Sequence, residues 1–455
     1  MATTRVISSS VSATQTPVSS RPYRWLPFVL ASGLSLIPVA ISATALPPAP
    51  AEAASTPTGQ ESSAPAGTDA GATLRPWGAD MDDFLAAALT WDPTVERAKA
   101  QIAAAEDGVT AAKWQFGPTP SFSREPAGSG HYVNVLRLQQ PLYTGGALTA
   151  NLRAARITVQ SSHQELAAAR LQLKINLVTF WADWVKARQR AASLSLLEQQ
   201  HQDLLAMIQR RAAAGAATTS DAALAASRLS AVNNELAQAR LEASLQREQL
   251  QRLARRPVPD LLTHALDGDL PPAPSLAQIL DSIQTSPDMA IARANVDLAQ
   301  EELTKSKAGL MPSVSLRMDH QSGAVRDQRI GVVVQASLSG GLGSFAALNA
   351  ARSRIQAAQA TVAATEQALF NRYQVEFTRY AAASASARNA ITTADNSDQV
   401  LASYRRQFAA GKRAWLDLLN MVRESHTARQ SRHDAAIDER ASLYRLQILL
   451  QGSRE

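Results

Sequence analysis

The stretch Met311–Gly343, MPSVSLRMDHQSGAVRDQRIGVVVQASLSGGLG, is the one part of the chain that does not read as helix. In it Val314, Leu316 and Met318 alternate with Ser313, Ser315, Arg317 and Asp319. Beyond a turn around Gln321–Asp327, Ile330, Val332, Val334, Ala336 and Leu338 alternate with Arg329, Gly331, Gln335, Ser337 and Ser339. A period of two gives a strand one apolar and one polar face. Two such runs joined by a Gly-containing turn predict a hairpin. A lone hairpin is not stable in water, so this one must join further strands.

Nearly everything around it is long, Ala-rich and helical. Hydrophobic residues make up 45% of the 455 residues but aromatics only 5%, a composition suited to close-packed helices rather than one large core. Cysteine is absent, which excludes a disulfide framework and a thiolate metal site. The net charge of +6 reads as a solvated basic surface, because no aromatic-interleaved basic patch or nucleic-acid motif accompanies it.

Near the amino terminus Arg21 and Arg24 precede an apolar run, Trp25–Leu46, with small-residue sites at Ala43-Thr44-Ala45, near its end, and at Ala51-Glu52-Ala53, just beyond it. That order predicts a signal peptide over residues 1–53; the run also approaches the length of a transmembrane anchor. No lipobox cysteine follows. Residues 54–76, rich in Ala, Pro, Ser, Thr and Gly, predict a disordered linker. Past the leader no segment offers eighteen consecutive apolar residues, so a second crossing of a membrane would have to be made by a barrel.

The remainder is written twice. Pro93 and Pro287, Pro118 and Pro312, Gly145-Gly146 and Gly340-Gly341, and Asp221 and Asp417 all recur at an offset of about 195 residues, the mark of a duplicated unit. The units span 77–260 and 275–455, with a linker over 261–274. Each opens with a helix (Met81–Trp114, Leu276–Lys307) and a hairpin (118–140, 312–339). The first hairpin is noisier, because Asn134 interrupts its apolar set. A very long helix follows (Ala147–Ala214, Leu342–Ala410), stopped at Gly215 or Gly411, and a returning helix closes the unit (Thr219–Arg255, Trp415–Leu450). At about 1.5 Å per residue the long helix reaches roughly 100 Å, and the two shorter ones stacked end to end match it. The product is a rod with the hairpin at one end and the Gly turn at the other.

Together these features resemble the outer-membrane efflux protein family, the TolC-like channels, from about Trp77 to the carboxyl terminus. The residues that carry the resemblance are Gln140-Pro141-Leu142-Tyr143-Thr144-Gly145-Gly146 leading into a helix, Ala308-Gly309-Leu310-Met311-Pro312 with its alternating strand, and the run Phe408–Leu419. The resemblance implies a mainly helical fold with a membrane β-barrel, four strands per protomer closing a twelve-stranded barrel in a homotrimer above a periplasmic helical tunnel. It implies a passive exit duct in the outer membrane of a Gram-negative bacterium, opened by a periplasmic adaptor and an inner-membrane transporter, either ABC-type or proton-driven. Independently, four strands are too few to close a water-filled barrel and open edges are not tolerated in lipid, so several copies are required. The cargo is open between protein toxins and small molecules, and the missing lipobox favours type I protein secretion. The competing reading is a periplasmic coiled-coil adaptor or envelope scaffold with no pore.

An active site is not legible. The seven histidines are scattered, and His426 and His433 lack a third ligand nearby. There is no HExxH, Walker loop or nucleophile elbow. The expectation is therefore a protein that is not an enzyme, with no cofactor and no nucleic-acid partner. In the family pattern two acidic residues three apart follow the Gly turn and ring the narrow end of the tunnel; here they fall on Asp417 and Asn420. Asp417 reads equally as a first-turn acid favoured by the helix dipole. By the same resemblance the tips around Gly215 and Ala216, and around Gly411, Lys412 and Arg413, meet the adaptor or pump. Val314, Leu316, Ile330, Val332, Val334 and Leu338 are the expected lipid-facing set.

Overall fold

The structure, a computed structural model, describes residues 78–126, 130–258, 270–324, 326–336, 341 and 343–452. The expected signal peptide, the linker 54–76, Ser337, Leu338, Gly340 and most of the inter-repeat linker lie outside the described residues.

The first unit runs α1 (Gly78–Trp91), α2 (Pro93–Trp114), β1 (Thr119–Pro126), β2 (Tyr132–Tyr143), α3 (Ala147–Ala213) and α4 (Thr219–Ala254). The second runs α5 (Leu276–Asp281), a 3₁₀ turn (Ser282–Thr285), α6 (Pro287–Ala308), β3 (Ser313–Gly323), β4 (Asp327–Gln335), α7 (Gly343–Ala409) and α8 (Trp415–Gln451). None of the described helices is long and apolar enough to cross a membrane.

Each unit's opening helix is broken in two where the sequence reading expected one. The break falls at Asp92–Pro93 and at Ser286–Pro287. Proline disfavours helical backbone at the residue before it and is itself at home in a first turn. Asp92 and Ser286 accordingly take extended backbone and cap the new helices: Asp92 accepts from the Thr94 and Val95 N–H groups, Ser286 from Met289 N–H. Such a cap is worth about 1 kcal/mol.

The long helices α3 and α7 each hold 67 residues, about 100 Å at 1.5 Å per residue. Short helices meet end to end beside them. Val95 and Ala98 near the start of α2 cluster with Leu166 and Leu173 of α3 and with Leu253 at the end of α4. In the second unit Met289 of α6 clusters with Leu369 and Tyr373 of α7 and with Leu446 and Leu449 of α8. The two units are then joined by α3, which also packs against α6 and α8. Their shared core is built on Leu177, Trp181, Trp184 and Val185 of α3 with Ile437, Tyr444 and Ile448 of α8, and Phe84, Ala88 and Leu250. Trp181 and Tyr444 lie with ring centroids 6.0 Å apart.

Both hairpins pair into one antiparallel sheet in the order β1-β2-β3-β4. β2 runs past the expected end at Gln140 to Tyr143, with a bulge between Pro141 and Tyr143 where proline has no N–H to give the ladder. At the bend into α3, Gly145 has φ +64°, and a Cβ there would lie 2.9 Å from both Ala308 O and Met311 Cβ. A glycine is needed at that crossing because the second unit's backbone comes too close for any side chain.

Candidate functional site

Chemistry-bearing residues gather at the two ends of the rod. At the sheet end, the strand register sorts them onto faces. Pro120, Phe122, Leu136, Leu138, Val314, Leu316, Met318, Ile330, Val332 and Val334 fall on one face. Ile330, Val332 and Val334 are 66%, 62% and 67% exposed. A contiguous apolar patch of this kind on a free surface marks a contact with lipid or protein. The other face carries Ser121, Ser123, Arg137, Gln139, Ser315, Arg317, Asp319, Arg329 and Gln335. There Arg137 Nε donates to Asp319 Oδ1 at 2.8 Å and Gln139 Nε2 to Ser315 Oγ at 3.1 Å. Five of the six expected lipid-facing residues thus share one exposed or half-exposed face, and Leu338 lies outside the described residues.

Asn134, which interrupts the first hairpin's pattern, pairs with Arg124 and Ser322 on the apolar face. It sits toward the hairpin turns, where the apolar band gives out. Aromatic groups bracket the band. Exposed Trp114, Phe116 and Tyr143 stand where strands meet helices. At the opposite end the Arg124 guanidinium lies 4.3 Å from the Tyr132 ring centroid.

At the other end of the rod the long helices stop in two matching turns. Gly215 N–H donates to Ala212 O at 3.0 Å and Ala216 N–H to Arg211 O at 2.8 Å. Gly411 and Lys412 repeat the pattern to Phe408 O and Gln407 O at 3.0 and 2.9 Å. Both are Schellman turns, with glycine at φ +73° and +70° where the left-handed backbone requires it. The returning helices differ at their starts. Thr218 caps α4 in a reciprocal box with Asp221, whereas Ala414 gives α8 no side-chain cap. Asp417 stands at the position in α8 that Asp221 holds in α4. Freed from capping, it lies half-exposed with its Oδ2 3.5 Å from Arg413 Nη1. Asn420, one turn on, is exposed.

One link at this end was not legible in the sequence. Trp415 Nε1 donates to Asp221 Oδ1 at 3.1 Å, joining the start of α8 to the start of α4. The Asp221 carboxyl is held below its ordinary value, first by the Thr218 backbone N–H, then by the Thr218 hydroxyl and the Trp415 indole. The recurrence of Asp221 and Asp417 pointed to the position; nothing local pointed to the partner. Arg211 over Phe408, 5.4 Å to the ring centroid, and Arg413 over Tyr404, at 3.9 Å, complete the cluster.

Between the ends, a cavity of about 440 Å³ opens among α3, α4 and α8 beside His201, Glu235, Arg423 and His426. Burial pushes both histidines below their ordinary value. Among the described residues no group of three or more His, Cys, Asp or Glu side chains is arranged to hold a metal ion.

Comparison with known proteins agrees with this geometry. The family model described as outer membrane efflux protein matches residues 85–254 and 279–450. The chain is 22% identical over 316 residues to the proteases secretion protein PrtF of Dickeya chrysanthemi, covering 66% of this chain and 68% of that one. Among solved structures it resembles a membrane protein from Pseudomonas aeruginosa (TM-score 0.69, 19% identity, covering 82% of this chain and 90% of that one). It also resembles the outer membrane protein VceC of Vibrio cholerae (0.68, 17%, 82% and 96%). A third likeness is to the open state of the MtrE outer membrane channel of Neisseria gonorrhoeae (0.67, 17%, 82% and 89%).

Proposed function

Because the chain belongs to the outer membrane efflux protein family, we propose that it is the exit duct of a tripartite export machine in the outer membrane of a Gram-negative bacterium. Three copies close a twelve-stranded barrel, and the helices below it enclose a tunnel through the periplasm. The observation that carries this reading is the sheet. It has one apolar and one polar face, ends in two open edges at β1 and β4, and is bracketed by aromatic side chains. A transmembrane barrel strand has that alternation and those aromatic girdles. Open edges in lipid leave peptide groups unsatisfied, so β4 of one copy must pair with β1 of the next. A coiled-coil adaptor or scaffold with no pore has no use for such a sheet, and the family match weighs against that reading too.

The duct supplies no energy. A periplasmic adaptor and an inner-membrane transporter open it by engaging the tips at Gly215, Ala216, Gly411, Lys412 and Arg413. Asp417 and Asn420 line the constriction at that end, with Asp417 as a ring of three carboxylates. The likeness to a proteases secretion protein supports type I protein secretion as the export route, while the family's description as efflux proteins keeps small-molecule efflux as the second reading. We take the mature protein to be residues 54–455, in two repeats over 77–260 and 275–455. The test is fractionation: the protein should sediment with outer membranes and migrate in mild detergent at three times the chain mass. A monomer in the soluble periplasmic fraction would sink the proposal.

A further inference from the structure

The polar face of the sheet carries six charged side chains: Glu125, Arg137, Arg317, Asp319, Asp327 and Arg329. Four of them are matched. Arg137 pairs with Asp319 at 2.8 Å and Arg329 with Asp327 at 2.6 Å. Glu125 stands four residues nearer the hairpin turns than Ser121, the Arg137 partner, and accepts from Ser123 Oγ at 3.3 Å. Arg317 has no carboxylate within ion-pair distance among the described residues. Its neighbours in the register are Gln139 on β2 and Gly331 on β4. Gly331 presents no side chain, and the Gln139 amide nitrogen is turned to Ser315. The Arg317 Nε is buried and has no hydrogen-bond partner.

An unmatched guanidinium on a sheet is costly unless something else answers it. A donor group left buried without an acceptor loses its hydration without recompense, and the cost is larger for a charged group. Facing lipid, Arg317 would be worse still. Its register instead puts it on the polar face, away from Leu316 and Met318, with open space across at Gly331. Its fork of five N–H donors suits oxyanions and carboxylates.

Taking the barrel reading above as its basis, we propose that Arg317 forms a ring of three guanidinium groups inside the barrel that binds multivalent anions and sets an anion preference there. The ring lies one polar row on the tunnel side of the row holding Ser121, Arg137, Asp319 and Arg329, so passing cargo meets it after leaving the helical tunnel. Its sign is opposite to that of an Asp417 ring at the far end. Neither ring hides the other in an experiment, because the anion is added from the barrel side.

The experiment is single-channel current in a planar bilayer at about 10 mM salt, where the screening length of about 30 Å leaves the lumen charges effective. Pyrophosphate is titrated from the barrel side of the full-length protein. The parent channel should be partly blocked, and Arg317→Gln should weaken that block by about tenfold, the scale expected when three unit charges stop attracting a multivalent anion across water. Arg317→Lys, which keeps the charge, should retain most of the block. Gln139→Arg, which adds a cation to the same row, should strengthen it. Equal block in the parent and in Arg317→Gln overturns the ring while leaving the barrel standing, as does loss of block in Arg317→Lys. A purified protein that opens no pores at all overturns the barrel and the ring together.

Discussion

Placing an arginine along β4 tests whether the apolar face meets lipid, and the register fixes the order of the effects. Ile330 lies in a row with Met318, Leu138 and Pro120, near the middle of the apolar band. Val332 lies one apolar row nearer the helices, beside Leu316, and Val334 a further row on, beside Val314. A charge on the lipid face of a barrel costs about 2–4 kcal/mol at the bilayer midplane and about 0–1 kcal/mol near an interface. With three copies the cost of Ile330→Arg is about 6–12 kcal/mol per assembled trimer, on the same scale as the whole stability of a small domain. Val332→Arg should cost less and Val334→Arg least. Gln335→Arg places the same charge on the polar face, opposite the neutral Ser313, and should be tolerated. The assay is the fraction of trimer recovered from outer membranes in mild detergent, followed by urea titration of protein folded into lipid vesicles. Equal losses on both faces, or a larger loss at Val334 than at Ile330, would refute the argument that this face contacts lipid.

Asp417→Ala should remove most of the block that a trivalent cation added from the periplasmic side imposes on single-channel current, while Asn420→Asp strengthens it; acidic rings concentrate cations in this way. Trp415→Phe keeps the ring but removes the donor to Asp221. Without that tie between the starts of α8 and α4, the variant should show more frequent wide-open events in the same recordings. Stability should fall on mild acidification. Burial lowers His201, His426 and His433 in the folded state, so the unfolded chain takes up protons first. Their contribution is fully present above the ordinary histidine value of about 6.5 and is lost as pH drops through the folded values. Asp183 and Asp434, raised by burial, act with the opposite sign and restore some stability at lower pH, as it falls through their own folded values. Thermal unfolding in detergent between about pH 7.5 and 5.5 should therefore slope downward with acid, and His201→Gln with His426→Gln should flatten that slope; an unchanged slope would count against the assignment.

The rod was legible because its signals are local and repeated. Alternation at Val314–Met318 and Ile330–Val334, the paired Gly stops, and the duplicated Pro positions each report on a few neighbouring residues. What was missed depends on competition or distance. Apolar helical spacing continues across Asp92–Pro93 and Ser286–Pro287, so a single helix looked sufficient; proline geometry and a ready cap decided otherwise. Asn134 looked like noise in one strand and makes sense only beside Arg124 and Ser322, which are brought to it by pairing. The Trp415 to Asp221 hydrogen bond spans 194 residues, and no local pattern announces it. Arg317 was visible as a polar residue in an alternating strand. That, among the described residues, it alone of the arginines on the sheet's polar face lacks a carboxylate partner emerges only from the register.

The most direct test of the account is covalent capture of the proposed barrel seam. The chain has no cysteine, so any disulfide comes from introduced pairs. Ser121→Cys or Ser123→Cys on β1 is combined in turn with Arg329→Cys, Gly331→Cys and Gln335→Cys on β4, and the protein is oxidised in isolated outer membranes. If three four-stranded sheets close the barrel, at least one pair closes into a covalent trimer on non-reducing gels, with dimer as its precursor and nothing larger. A set of pairs that all remain monomeric, or one that polymerises beyond three, would contradict a barrel closed by three four-stranded sheets.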